Sequence, residues 1–343
     1  MHGAFEASPP MVSESDAEGF AYKVFGVKGR AKMLSSERDA NFRLLSDRDS
    51  FLLKFINSGE DPETNRFQTD LLKHLSASAT ELPVSRLCPD LTGGIQTHVT
   101  LSNGVVHAVR LMTFLPGTSG HDVVRGPGSR HRLATVLAAL DICLADFSQR
   151  PTGQPLLWDV SRAEHAAGLL EAIGDDEKRG QAAGIFDHWR ANIAPGLPAL
   201  RHQVIHNDLN LHNYLVDQAG AISGVIDFGD AVFAPLVADL ATAASYQILD
   251  ADDPIGALAE MAATYCRILP LLDDEIDLLW GLCAARWAIT MSITNWRAGH
   301  HPANRSYILR NEPLSVRGLA LFHAIEPDSV ADRVRAICRR VAA

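Results

Sequence analysis

Lysine is scarce in this sequence of 343 residues, since only six of its 31 basic residues are lysines. Acidic residues number 41, which gives a net charge of −10. A protein that binds nucleic acid in general needs a basic face to displace counterions from the phosphates, so that class is not expected. Any single lysine placed to bind a phosphate therefore stands out in this chain.

The sequence also has few cysteines and lacks long apolar runs. The five cysteines are odd in number and form no C-x-x-C pair, so neither a disulfide framework nor a structural zinc site is expected. The chain does not open on a secretory signal pattern, and no stretch reaches the roughly 20 apolar residues of a membrane span. We therefore expect a cytoplasmic protein without a membrane partner, because 47% apolar and 21% charged residues are an ordinary globular balance.

The chain divides into a β-rich first third and a helical remainder. Residues 13–25 predict a helix with Ser13 as its N-cap. Three short apolar runs separated by polar turns, at 28–34, 41–45 and 50–57, then indicate a β-meander. A helical pattern follows at 62–75, and two more strand-like runs at 96–101 and 105–111, joined by S-N-G, indicate a hairpin. After residue 117 the 3.6-residue periodicity of helices predominates, with one irregular polar segment at 203–230.

That irregular segment carries the chemistry-bearing residues. His206, Asp208 and Asn213 form the spacing H-x-D-x-x-x-x-N, and Asp227 opens a D-F-G sequence fourteen residues after Asn213. The two together are far more specific than a lone glycine-rich loop. Asn207 stands where protein kinases carry arginine, which makes an activation loop organised around a phosphorylated residue less expected.

The residue types fit phosphoryl transfer from ATP or GTP. This reaction needs a carboxylate near the acceptor hydroxyl and oxygen ligands for Mg²⁺ on the phosphates. Asp208 is placed for the first task as the catalytic residue, and Asn213 and Asp227 are placed for the second as metal ligands. His206 is expected to brace the loop, and Asp239 is expected to fix it through hydrogen bonds.

A kinase also needs a cation on the phosphates, and Lys54 fits this requirement. It lies in the third predicted strand, with two apolar residues on each side. Glu63 and Glu60 are both candidates for its acidic partner, and Glu63 is preferred because it lies nearer the body of the following helix. The turn at 35–42 contains no glycine, so serine hydroxyls and backbone amides would contact the phosphates there.

These features resemble the aminoglycoside phosphotransferase/choline kinase superfamily of small-molecule kinases, and most of all its hydroxylysine kinase branch. The likeness covers about residues 20–325. One departure is Arg66, which stands where the family's helix often carries glutamate. The likeness rests on H-N-D-L-N-L-H-N at 206–213, S-G-V-I-D-F-G-D at 223–230, R-L-M-T-F-L-P-G at 110–117, and the turn residues Ser36, Asp39, Asn41 and Phe42.

The resemblance implies an α+β, bilobal protein-kinase-like fold with a β-rich N-terminal lobe and a mostly helical C-terminal lobe. It implies nucleotide contacts from Ser36 and Asn41 in the turn, and from the backbone at Met112 and Phe114 in a hinge. The implied boundaries are a flexible lead-in at 1–19, a nucleotide-binding lobe at 20–110, the hinge at 111–117 and the helical lobe at 118–343.

The acceptor is expected to be a small cationic amine or hydroxylated amino acid. Residues 1–115 carry a net charge of −2 and residues 116–343 carry −8, which favours a cation beside the helical lobe. Asp230 either contacts a substrate ammonium or caps a turn, and Trp296 either packs in the core or meets the acceptor. Aminoglycoside, choline-type and homoserine-type acceptors stay open, as do a nucleotide-binding pseudokinase and a monomer or a homodimer.

Overall fold

The computed structural model describes residues 9–36, 38–151 and 155–342 and divides the chain into two compact units. The N-terminal unit takes in the chain up to Gly117 together with Ser223–Ile226, and the C-terminal unit holds most of the remainder. The expected α+β class is confirmed, with an antiparallel sheet in the first unit and mostly helices in the second.

Helix α1 (Glu14–Phe25) opens the N-terminal unit. Its capping box is reciprocal: the N–H of Asp16 donates to Ser13 Oγ at 3.1 Å, and the N–H of Ser13 donates to the Asp16 carboxylate at 3.4 Å. The helix ends at Gly26, whose φ of +69° is costly for residues with a side chain. Residues 1–8 of the lead-in predicted at 1–19 lie outside the described residues, and the rest of it overlaps this helix.

The sheet of the N-terminal unit contains the predicted meander, whose three strands pair in sequence over residues 30–55, and the predicted hairpin over residues 97–113. Its strands follow the order β1-β2-β3-β6-β4, with β5 also paired to β6. Helix α2 (Pro62–Ser78) begins at the N-cap Asp61, whose carboxylate accepts the N–H of Thr64 at 2.9 Å. The strands are β1 (Arg30–Leu34), β2 (Ala40–Leu45), β3 (Ser50–Phe55), β4 (Leu87–Cys88), β5 (Thr97–Thr100) and β6 (Val106–Thr113).

Strand β6 is longer than the pattern predicts. It runs through the first three residues of the predicted hinge, with Met112 opposite Leu52 of β3. The N–H of Phe114 then still donates to the carbonyl of Ser50, at 3.0 Å. The division between the two units falls after Gly117, at the end of the predicted hinge.

The core of the N-terminal unit lies between α1 and one face of the sheet. The residues that fill it alternate along each strand, as a half-buried sheet requires. Phe42 and Phe55 meet edge to face, with ring centroids 5.9 Å apart. The buried set comprises Ala17, Ala21, Phe42, Leu44, Leu53, Phe55, Val109 and Leu111.

The C-terminal unit is built on long helices with short strands around the irregular segment. Strand β7 (Thr118–Ser119) pairs with β9 (Tyr214–Val216), and β8 (His202–Ile205) pairs with β11 (Val232–Pro235). Strand β10 (Ile222–Val225), whose residues from Ser223 onward are assigned to the N-terminal unit, precedes Asp227 in the chain. The helices are α3 (Pro127–Ala145), α4 (Glu164–Ala167), α5 (Asp176–His188), α6 (Val237–Gln247), α7 (Pro254–Cys266), α8 (Asp273–His300), α9 (Arg305–Ile308), α10 (Glu312–His323) and α11 (Pro327–Ala342).

Helix α8 is the central helix of this unit. Among the described residues it is the one helix long and apolar enough to cross a membrane, although no such segment is expected from the sequence. Because 89% of its apolar window is buried inside the protein, we interpret it as a core helix. The apolar residues of α8 are not confined to one face, because a helix surrounded by protein is apolar on all sides.

The contact between α10 and α8 gives a stability prediction. A Cβ at Gly318 on α10 would overlap the ring of the fully buried Trp287 on α8. We expect Gly318→Ala to lower the free energy of unfolding by about 1–3 kcal/mol, because an overpacked core must shift. The matched control is Gly180→Ala, at an exposed position of α5 where a Cβ meets nothing within 4 Å. This substitution should raise the free energy of unfolding by about 0.5–1 kcal/mol.

Urea unfolding followed by circular dichroism measures both variants. Equal effects of the two substitutions would contradict the close packing of Gly318 against Trp287.

Candidate functional site

The loop at residues 206–213 joins β8 to β9 and is held by one side chain of α6. The N–H of His206 and the N–H of Asn207 donate to the two carboxylate oxygens of Asp239, at 2.8 and 2.7 Å. Asn207 has φ +65°, a strained conformation for a residue with a side chain. Its Nδ2 donates to the carbonyl of Asp230 at 3.0 Å. Asp239 therefore fixes the loop, as the sequence predicts.

Asp239 is itself one half of a buried carboxyl pair. It shares a side-chain hydrogen bond with Asp141 on α3, and the hydroxyl of Tyr265 donates to Asp141 at 2.6 Å. Burial raises the pKa of Asp141 well above its usual value, with the charge of Asp239 adding to the rise. Burial also raises the pKa of Asp239, but His206 and the two loop N–H groups oppose this. Asp141 therefore keeps the proton and donates, and Asp239 accepts.

The carboxylate of Asp208 is the centre of the loop. Asn210 Nδ2 donates to both of its oxygens at 3.0 Å, and Asn213 Nδ2 donates to Oδ2 at 2.7 Å. Its side chain is 15% exposed. Burial raises the pKa of Asp208 to about 6 and the charge of Asp230 adds to the rise, while the guanidinium of Arg286 opposes it. At neutral pH the carboxylate is thus ionised and able to accept a hydroxyl proton.

Arg286 on α8 is the residue that sequence reasoning missed. Its Nη2 donates to Asp208 Oδ1 in a buried ion pair. The remaining nitrogens donate to the carbonyl of Trp158 and the hydroxyl of Tyr246, each at 3.0 Å. The available signal was one charged residue within the apolar stretch C-A-A-R-W-A at 283–288, since a charge in a buried helix usually has a partner.

The candidate metal ligands Asn213 and Asp227 offer oxygen atoms. Because Asn213 Nδ2 points at Asp208, its Oδ1 is the end left for a cation. Asp227 is exposed with φ +64°, and its Oδ1 accepts the N–H of Gly229 at 3.3 Å. Within the described ranges no group of three or more His, Cys, Asp or Glu could hold a metal alone. One carboxylate plus one amide fits Mg²⁺, which takes its other ligands from phosphates and water.

The two candidate substrate residues differ in their relation to this loop. Asp230 is half-buried, and its charge acts on both Asp208 and Arg286. Trp296 is half-buried near the end of α8, with its ring 4.5 Å from that of His300. Trp296 is therefore only partly packed in the core. A substrate role for either residue stays a prediction.

In the N-terminal unit, Lys54 forms an ion pair with Asp39. Its Nζ lies 2.8 Å from Asp39 Oδ2, and the N–H of Asn57 donates to the other oxygen at 2.9 Å. Burial works to raise the pKa of Asp39, but Lys54 and the Asn57 N–H lower it below its usual value. Asp39 lies just before β2, whose register sets Asn41 opposite Lys54.

The prediction that Glu63 is the acidic partner of Lys54 is wrong. Glu63 lies in the exposed first turn of α2 and pairs with Arg66 at 3.4 Å. The physical reason is the helix phase, because residues three apart share one face and that face points to solvent.

The other predicted nucleotide contacts occupy varied environments. Asn41 Oδ1 is buried and has no hydrogen-bond partner among the described residues, and Ser36 is half-buried after β1. Met112 is buried within β6, and the guanidinium of Arg43 lies 4.4 Å from the ring centroid of Phe114. Their contacts with a nucleotide stay predictions. The buried Oδ1 of Asn41 is therefore able to accept a hydrogen bond from a ligand.

The fold and the loop define a class of phosphotransferase, and comparison with known proteins agrees. The model of the "Phosphotransferase enzyme family" matches residues 31–276, more than half of the chain. The chain therefore belongs to this family, and the predicted phosphotransferase with an alcohol group as acceptor is confirmed. Two similar proteins are the hydroxylysine kinases of Danio rerio (24% identical over 341 residues) and Xenopus laevis (25% over 354 residues). Each match covers 95% of this chain and 96% and 94% of the respective relative.

Solved structures support the fold. A microcompartment-associated aminopropanol kinase has a TM-score of 0.71 at 18% identity, and the match covers 91% of this chain and 97% of that one. An amicoumacin kinase has a TM-score of 0.63 at 12% identity, with coverage of 88% and 95%. At such low identity these likenesses show the fold alone, and they confirm the kinase-like fold class.

The carboxyl pair beneath the loop gives a pH prediction. Asp141→Asn preserves both hydrogen bonds, since the amide accepts from Tyr265 and donates to Asp239. A carboxyl whose pKa is raised by folding binds more protons when folded, so wild-type stability falls as pH rises above about 4. Asp141→Asn removes this loss. We therefore expect the melting temperature of the variant, measured relative to that of the wild type, to rise from pH 5 to pH 8.

The matched variant is Asp239→Asn. It places an NH₂ group against one of the two N–H donors of the loop and should destabilise by about 1–3 kcal/mol. Calorimetry over this pH range measures both variants. A destabilised Asp141→Asn protein with an unchanged pH slope would show that Asp141 is ionised.

Proposed function

We propose that this protein transfers the γ-phosphate of ATP or GTP to the hydroxyl of a small cationic amino alcohol or hydroxylated amino acid such as hydroxylysine. The observation that carries the proposal is the Asp208 carboxylate, held in the loop by Asn210, Asn213 and Arg286. Hydroxylysine kinases aligned over 95% of this chain support the acceptor class. Nucleotide complexes of related structures, one with AMP-PNP and Ca²⁺, support the co-substrate.

Each residue has one task in the proposed mechanism. Asp208 accepts a hydrogen bond from the acceptor hydroxyl and aims its oxygen at the phosphorus. It takes the proton as the new oxygen–phosphorus bond forms, while the bond from the γ-phosphorus to the bridging oxygen breaks and nucleoside diphosphate leaves. Asn213 Oδ1 and the Asp227 carboxylate would hold Mg²⁺. When bound, Mg²⁺ neutralises charge that develops on the phosphate oxygens. Lys54 binds a phosphate oxygen of the nucleotide as a point charge.

The acceptor class follows from charge. The half-buried Asp230 acts electrostatically on the same loop as Asp208, so an ammonium group near it would relieve the repulsion between the two carboxylates. Hydroxylysine and aminopropanol, named in the relatives, both carry an amine and a hydroxyl. Aminoglycoside, choline-type and homoserine-type acceptors share one or both groups and belong in the same assay panel.

The catalytic assignment predicts a clear separation of binding from turnover. We expect Asp208→Ala to lose at least about 10²-fold in kcat, since it removes the general base, while its affinity for the nucleotide stays near the wild-type value. Release of nucleoside diphosphate with each acceptor measures turnover, and isothermal titration calorimetry with a non-hydrolysable nucleotide measures binding. Full turnover by Asp208→Ala would falsify the assignment.

The same panel separates a kinase from a nucleotide-binding module. A wild-type protein that binds nucleotide but phosphorylates no acceptor in the presence of Mg²⁺ contradicts the proposed function and favours the module.

The role of Lys54 predicts an effect on the nucleotide rather than the acceptor. We expect Lys54→Met to raise KM for the nucleotide about tenfold or more, because the loss of a charge-assisted contact of about 1.4 kcal/mol corresponds to a factor of ten. The matched control is Lys32→Met, which removes an exposed lysine of β1 and should leave KM unchanged. Initial rates at varied nucleotide concentration measure both. Equal KM values for the two variants would rule out the contact.

A further inference from the structure

Packing alone does not explain why a charged residue, Arg286, is buried in α8. Its side chain is 2% exposed in the middle of α8, where an apolar residue would avoid the cost of burying a charge. All three guanidinium nitrogens are nevertheless bonded, to Asp208, to the carbonyl of Trp158 and to the hydroxyl of Tyr246. The guanidinium carbon also lies 5.0 and 5.8 Å from the ring centroids of Trp158 and Tyr246. The structure thus provides a fitted slot for one planar cation.

The bonds that reach Asp208 are of two kinds. Asn210 and Asn213 belong to the same loop as Asp208, so they move with it if the loop moves. Arg286 belongs to the buried helix α8, and its contact joins the carboxylate to the rigid frame of the C-terminal unit. A side chain whose aim must be held within a fraction of an ångström needs such an external support.

The charges nearby point the same way. Asp230 and Asp208 repel each other, and Arg286 attracts both. Removal of Arg286 would leave two acidic side chains without the buried cation that balances them, and Asp208 would turn from the position set by the guanidinium.

We propose that Arg286 is a positioning residue: it aims the Asp208 carboxylate at the acceptor hydroxyl through a direct ion pair and contacts neither substrate. The inference rests on the proposed function of Asp208. Because it concerns the aim of the base, loss of Arg286 should lower kcat and leave KM for the nucleotide unchanged. A merely structural role would lower only the amount of folded enzyme, which reduces the apparent kcat and leaves KM unchanged. The measured kcat is therefore referred to the folded fraction that circular dichroism gives, and a kcat that returns to the wild-type value after this correction contradicts the positioning role.

Chemical rescue tests this inference. Arg286→Ala empties the slot between Trp158 and Tyr246, and we expect kcat to fall about 10²-fold, the loss typical of a misplaced catalytic group. Added guanidinium ion, at concentrations below those that unfold the protein, should restore part of kcat by entering the slot. Sodium chloride at equal ionic strength should restore none. The matched control is Arg130→Ala, another buried arginine (6% exposed), whose ion pair is with Glu260; its kcat should stay near the wild-type value and not respond to guanidinium.

Two further measurements keep the inference testable if Arg286→Ala does not fold. Arg286→Lys keeps the charge but loses the planar fork, so its kcat should lie between those of the wild type and of the alanine variant. A double-mutant cycle of Arg286→Met and Asp208→Asn, followed by thermal unfolding, should give losses in melting temperature that do not add, since each variant breaks the same contact.

The outcomes separate the inference from the proposed function. If the wild type phosphorylates an acceptor and a folded Arg286→Ala protein keeps its kcat, the positioning role is overturned while the proposed function stands. Additive losses in the cycle overturn it as well. If the wild type phosphorylates no acceptor, the proposed function fails, and the cycle alone still decides whether Arg286 and Asp208 are coupled.

Discussion

The C-terminal unit depends on one interaction, the acceptance of two successive loop N–H groups by the buried carboxylate of Asp239. A left-handed Asn207 and a half-buried Asp208 are both unfavourable by themselves. They persist because α6 offers a charged acceptor where the loop backbone has no strand partner. The carboxylate can remain charged there because Asp141 keeps a proton and donates to it. The cost of burying one negative charge is thus offset by the hydrogen bonds that Asp239 accepts from the loop.

The same logic sets the chemistry of Asp208. Burial by itself favours the protonated form of this carboxylate, and a neutral acid could not accept the hydroxyl proton. The opposing effects of Arg286 and Asn210 hold the pKa of Asp208 at about 6, low enough for ionisation at neutral pH and high enough for a useful base. A base of this strength needs little further activation, so the proposed catalysis consists mainly of position and charge balance.

Local patterns predicted much of the fold and the site. Alternating apolar residues give the meander, and the spacing from His206 to Asp227 gives the loop, because these residues are neighbours along the chain. Arg286 and Asp39 could not be paired in this way. Arg286 meets Asp208 across 78 residues, and only the packing of α8 brings them together. Glu63 was assigned by its distance along the chain, yet the phase of α2 turns it to solvent. Sequence reasoning therefore locates the reactive groups better than it locates their partners.

The Lys54 pair shows why such partners decide function. A lysine beside Asp39 contributes little net charge to its surroundings, so it cannot by itself neutralise a triphosphate. Its use lies in direction instead: Asp39 is anchored by the Asn57 N–H, and it holds the ammonium group at one place on β3. Under the proposed function, the bulk of the nucleotide's charge must then be balanced by divalent metal, for which Asn213 and Asp227 supply the oxygen ligands. In a chain with six lysines and a net charge of −10, phosphate binding by the proposed mechanism would thus depend on a metal ion and one oriented cation.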